Sequence, residues 1–142
     1  MSVTEHCAAS LREGDQYFRA ATGGLKREAV FTPEILYNIL GMAIEKYALG
    51  FLYHKGKMAD NHTFVDLVDA MGKEDSFPEE LGRELAALQR YQEICSLSAY
   101  SRICPDRAAI LEMIETTRKL ESFVKAACDQ GGVSRSSDFH LA

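Results

Sequence analysis

Arg102 is the side chain in this sequence best suited to hold a phosphate. It stands in the stretch Tyr100-Ser101-Arg102-Ile103-Cys104-Pro105-Asp106, and a planar guanidinium pairs bidentately with phosphate oxygens. The same group can instead pair with Asp106 or with a carboxylate of the helix expected to precede it, the fourth, and the residue types leave both readings open. Proton transfer beside such a phosphate would call for a histidine, and the chain has four: His6, His54, His62 and His140. His62 precedes Thr63 at the expected start of a helix, where it either touches a ligand or a partner protomer, or satisfies a free backbone group. Lys46, Lys55 and Lys57 join His54 in a modest positive cluster around the end of another helix, where cations also relieve the helix dipole. Arg102, His62, Lys46, His54 and Asp106 are therefore the candidate ligand-binding residues, with no complete catalytic set among them.

Other chemistries lack their residues. No G-x-S-x-G or G-x-x-x-x-G-K sequence occurs, which removes the nucleophile elbow and the P-loop. The turn at Gly23-Gly24-Leu25-Lys26 is too short a glycine signal to cradle phosphates. Helical bundles that hold iron do so with glutamates and E-x-x-H pairs, and no E-x-x-H is present. Cys7, Cys95, Cys104 and Cys128 are scattered without a CxxC pair, so no zinc knuckle or thioredoxin-type motif is expected and buried free thiols are the default. No cofactor and no metal are called for.

The elements that must position these residues read as helices. A chain of 142 residues, 46% hydrophobic and 26% charged, suits one domain with one core. No apolar run near the roughly 20 residues of a bilayer span is evident, and Met1 to Ser10 lacks a basic start and an apolar segment, so a cytoplasmic protein away from membranes is expected. A net charge of -5 weighs against broad nucleic-acid binding, which needs a basic surface.

The periodicity predicts a first helix from about His6 to Ala21, punctuated by Thr22-Gly23-Gly24. A second, from Pro33 to about Lys55, has Thr32 as N-cap, Pro33 in its first turn and Gly56 past its end. Its stripe of Leu36, Leu40, Ile44, Tyr47, Ala48 and Phe51, widened by Ile35, Ile39, Ala43 and Leu52, marks a central, mostly buried helix. Gly41 and Gly50 each weaken it by about 1 kcal/mol relative to alanine, a cost most easily offset by close approach of another helix. A short third helix starts at the capping-box spacing Thr63/Asp66 and ends at Gly72, and a fourth starts at Ser76/Glu79 and carries Leu81, Leu85, Leu88, Tyr91 and Cys95. After an irregular link from about Ser98 to Pro105, Asp106 can cap a fifth, with Ile110, Met113, Ile114, Thr117, Leu120 and Val124 as its stripe. Gly131-Gly132 is expected to close it, leaving residues 131–142 as a mobile tail beyond a domain of residues 1–130. No hairpin pattern occurs, so the fold expected is an all-α, antiparallel up-and-down bundle of four to five helices.

The segment Ala43-Ile44-Glu45-Lys46-Tyr47-Ala48-Leu49-Gly50-Phe51-Leu52-Tyr53-His54-Lys55-Gly56, followed by Asn61-His62-Thr63-Phe64-Val65-Asp66-Leu67, is similar to the A-x-E-K helix, glycine and H-x-L segment of the HEPN family. Downstream, the stretch around Arg102 to Asp106 is similar to the R-Y-P-D stretch that opens the family's last helix. The resemblance covers roughly Leu11 to Ala127 and implies a helical bundle, commonly a homodimer, encoded beside a minimal nucleotidyltransferase and sometimes the toxin of a toxin–antitoxin pair.

The ribonuclease branch of that family uses R-x(4–6)-H at the start of the last helix. Arg102 matches the arginine, but Arg107, Ala108 and Ala109 stand where the histidine would be expected. The departure also removes the usual tyrosine-modification site just after it. The resemblance thus implies a non-catalytic interaction module, binding a nucleotide, a nucleic-acid end or a nucleotidyltransferase through the surface near Arg102 and His62. Its alternatives are a divergent endoribonuclease using Arg102 with a spatially adjacent His62 or His54, and a purely structural dimer.

Overall fold

A computed structural model describes the backbone over residues 2–92 and 104–141, and side chains from Ser2 to Tyr91 and from Cys104 to Asp129. Among the described residues the chain forms six helices and no strand: α1 (Val3–Gly24), α2 (Pro33–His54), α3 (Phe64–Met71), α4 (Glu79–Ala87), the single turn α5 (Gln89–Gln92) and α6 (Arg107–Leu141). The ends are set by local chemistry. Ser2 and Glu5 form a reciprocal capping box, which starts α1 ahead of the expected His6. Thr32 Oγ1 accepts from the Ile35 N–H at 3.3 Å to open α2. At the far end Gly56 takes φ +71°, and Lys57 N–H reaches back to the Leu52 carbonyl at 2.8 Å and Gly56 N–H to that of Tyr53 at 3.0 Å. This is a Schellman closure, which asks for glycine at that residue.

The long helices alternate in direction. An eight-residue turn joins α1 to α2. Arg107, at the start of α6, pairs with Glu28 just beyond the end of α1, while Cys128, late in α6, meets Cys7 near the start of α1. In the same way Phe77 before α4 packs on Phe51 late in α2, and Leu88 after α4 meets Tyr37 early in α2. Helices α1, α2, α4 and α6 therefore run up, down, up and down, with α3 packed on the flank of α2 and against α4.

Helix α2 is the axis of the core. Leu36, Leu40, Ala43, Ile44, Tyr47, Ala48, Phe51 and Leu52 are all buried, each large apolar side chain contributing about 1.5–3 kcal/mol of transfer free energy. Phe51, Phe77 and Phe123 form a three-ring cluster with centroids 5.2–6.3 Å apart, tying α2 and the entry to α4 onto α6. The α1–α2 seam is closed by small residues from both sides. A Cβ at Gly50 would come within 2.7 Å of Leu11 Cδ2, and one at Gly14 within 2.8 Å of the Tyr47 ring. Close approach at Gly50 is thus real, whereas Gly41 meets only the Phe64 ring at an ordinary 3.4 Å.

Four local expectations are corrected. Ser76 does not cap α4: Pro78 takes the N-cap position and no side chain bonds there, so Ser76 lies two residues before the cap. The fourth helix also breaks at Leu88, whose carbonyl accepts the buried Tyr37 hydroxyl at 2.9 Å while its N–H closes a tight turn to Leu85. The backbone of α6 passes through Gly131 and Gly132 to Leu141 instead of closing there; glycine lowers helix propensity but, unlike proline, keeps the N–H that the helix needs. Finally, α2 is 22 residues long with a mean hydropathy of 1.3 in its apolar window, enough by length and composition to cross a membrane. Most of that window is buried inside the bundle, which accounts for its apolarity by packing.

Candidate functional site

The described candidate residues do not converge. Asp106 Oδ1 accepts from the Ala109 N–H at 2.8 Å, so it is the N-cap of α6. His54 is the last residue of α2, at the opposite end of a bundle whose 22-residue helix spans roughly 33 Å. Lys46 faces α1, where its ammonium lies 3.0 Å from Glu13; that carboxylate raises its pKa above the usual lysine value. The adjacent Glu45 points to the other flank of α2 and meets His62 Nδ1 at 2.5 Å, just before the Thr63 cap of α3. Arg102, like Cys95, lies outside the described residues. The expected positive cluster at the end of α2 is dispersed in the same way, since Lys57 pairs with Glu74 and holds that carboxyl below its ordinary range.

A polar network that the spacing of residues did not announce lies across α1, α2 and α6. The fully buried Tyr47 places its hydroxyl 2.7 Å from Asp15 Oδ1 and 3.2 Å from Glu121 Oε2. Lys125 Nζ lies 2.7 Å from the same Asp15 oxygen and 3.2 Å from the same Glu121 oxygen. Burial and the two carboxylates push the Tyr47 phenol well above its usual pKa, keeping it a neutral donor. For Asp15, burial pulls upward, but the bonds from Lys125 and Tyr47 outweigh it and the carboxyl ends below its ordinary value. Lys125, despite its own desolvation, is raised by Asp15 and Glu121. The set is mutually satisfied, with two carboxylates facing one ammonium and one phenol, so it reads as a clasp joining three helices. Its sequence signal was the Glu121/Lys125 spacing of four residues and a tyrosine in a core stripe, whose hydroxyl must find a partner.

The cysteines divide by environment. Cys7 is buried and Cys128 half-buried, but Cys104 is exposed, against the expectation of buried thiols; it precedes Pro105 outside any helix and so belongs to no apolar stripe. Cys7 and Cys128 lie with Sγ atoms 3.6 Å apart, next to His54. Burial first, and then the neighbouring Cys7, push the Cys128 thiol up to about 12.

No protein-family model matches the sequence, and comparison with curated proteins gives no match. Among solved structures the chain is similar to TT1696 from Thermus thermophilus, with a TM-score of 0.65 and 18% identity over 84% of this chain and 96% of that one. At that identity the likeness establishes the fold: an all-α bundle shared over nearly the whole Thermus chain.

Proposed function

We propose that this protein is a non-catalytic, HEPN-like interaction module that acts in the cytoplasm as a homodimer and binds a protein partner of the nucleotidyltransferase type. The reading is carried by the way its described polar candidates are already engaged. Lys46 pairs with Glu13 and His62 with Glu45, on opposite flanks of α2, and Asp106 is occupied as a helix cap. A net charge of -5 also works against tracking a phosphate backbone, which needs a basic surface, so a protein partner is favoured over a nucleotide or nucleic-acid end. The missing histidine after Arg102 supports the non-catalytic part. Support for self-association comes from the outer face of α2, where Ile35 and Met42 are each 42% exposed and share one helix face seven residues apart, with half-buried Ile39 between them.

Sedimentation velocity over a falling concentration series, run on the wild type and on Ile35→Glu/Met42→Glu, tests the dimer: the wild type should sediment as a dimer and the variant as a folded monomer. A wild type that stays monomeric at the highest concentration would defeat that part. Incubation with RNA tests the rest, because cleavage abolished by Arg102→Ala would replace the interaction module with a divergent endoribonuclease.

A further inference from the structure

Three side chains far apart in the sequence meet where α1 begins, α2 ends and α6 passes. Cys7, His54 and Cys128 each offer one ligand atom, and the three atoms lie within 4.8 Å of one another. The two sulfurs are 3.6 Å apart. That is far beyond the roughly 2.05 Å of a disulfide, and close to the roughly 3.8 Å that two thiolates subtend when each sits about 2.3 Å from a tetrahedral zinc ion. Two soft sulfurs with one imidazole form a donor set that selects zinc over calcium or magnesium, which want oxygen. Each ligand comes from a different long helix, so their spacing is fixed by the bundle packing and not by a flexible loop.

We propose that Cys7, His54 and Cys128 form a zinc-binding site. Zinc would be held by two thiolates and one neutral imidazole, with its fourth position facing a cleft of about 220 Å³ bounded by Val3, Thr4, Ala8 and Asp129. Binding displaces the two thiol protons to solvent and involves no change in oxidation state. The two thiolates neutralise the dication, which suits a half-buried location. Three protein ligands with an open fourth position are the arrangement of zinc centres that bind water or a small ligand, so the cleft would admit a small anion or thiol to the metal. No CxxC or E-x-x-H spacing announces the site, because its ligands come from three helices and Cys7 and Cys128 lie 121 residues apart. The site stands apart from the dimer and partner reading above.

The test uses the full chain, reduced and stripped of metal, titrated with zinc against a chromophoric chelator and separately with cobalt(II). The expected result is one equivalent per chain, with the visible bands of tetrahedral cobalt and a near-ultraviolet thiolate-to-cobalt band. Cys7→Ser and Cys128→Ser should abolish stoichiometric binding, His54→Gln should weaken it at least about tenfold, and Cys104→Ser should leave it unchanged. Zinc should also shield Cys7 and Cys128 of the wild type from alkylation while Cys104 continues to react, a readout that does not depend on any variant folding. Absence of thiolate-to-cobalt absorption, binding that survives both cysteine substitutions, or undiminished alkylation of Cys7 and Cys128 under excess zinc would each overturn the proposal.

Discussion

Replacing Gly14 by alanine sets two effects of opposite sign against each other. Glycine to alanine inside a helix normally gains about 1 kcal/mol, so on propensity alone the change stabilises α1. The added Cβ, however, would stand 2.8 Å from both Cδ1 and Cε1 of Tyr47 and 3.2 Å from its Cγ. That ring cannot easily retreat. It is fully buried, packs edge-on against Phe18 with centroids 6.4 Å apart, and its hydroxyl is tied to Asp15. Either α1 lifts away from α2 or the ring leaves its rotamer, and overpacking of this kind costs about 1–3 kcal/mol. Loosening the hydroxyl's bond to a carboxylate forfeits part of a further 1.5–3 kcal/mol, roughly the worth of a hydrogen bond to a charged group. The net expectation is a destabilisation of about 1–2 kcal/mol, or roughly 2–8 °C in Tm for a chain of this size. Gly23 supplies the control within the same helix: a Cβ there meets nothing within 4 Å, so Gly23→Ala should stabilise by up to about 1 kcal/mol. Urea unfolding followed by far-UV circular dichroism at one fixed protein concentration measures both, provided the m-values stay equal. If Gly14→Ala stabilises as much as Gly23→Ala, the close α1–α2 seam is wrong.

Acid should weaken the clasp between α1, α2 and α6. Asp15 has a folded pKa below its unfolded value, so its contribution is fully present above about pH 4 and is lost as pH falls through the lower, folded value. Lys125→Met should cost about 1 kcal/mol at neutral pH and flatten the acid limb, so that mutant and wild-type stabilities measured by urea melts converge towards about pH 2; parallel acid limbs would refute the assignment. Asp106→Ala removes the N-cap bond to Ala109 and should lower stability by about 1 kcal/mol. The same substitution should leave partner affinity in a pull-down titration unchanged; a stable variant that no longer binds would return Asp106 to the ligand surface.

What was legible in the sequence was whatever depends on neighbours three to six residues away. Thr32, Pro33 and Gly56 bound α2 because capping and the left-handed closure are local events, and the stripe from Leu36 to Phe51 is buried because one face of a helix must bury its apolar side chains against something. The same locality explains the failures. Ser76 and Glu79 have capping-box spacing, yet Pro78 takes the cap position. Leu88 continues the apolar stripe, but a tyrosine 51 positions earlier takes its carbonyl and the helix breaks there. For the candidate residues the limit is sharper, because chemistry needs atoms brought together across helices and spacing along one helix is silent on that. Glu45 and Lys46 are adjacent in sequence and serve opposite flanks of α2, one reaching His62 and the other Glu13. Cys7, His54 and Cys128 share no motif and nevertheless converge, since α1 and α6 run antiparallel and α2 ends beside them. The packing direction of three helices therefore decides which polar groups meet, and in this bundle it sets Asp106 and His54 at opposite ends while it assembles a thiol–imidazole cluster that no local pattern marked.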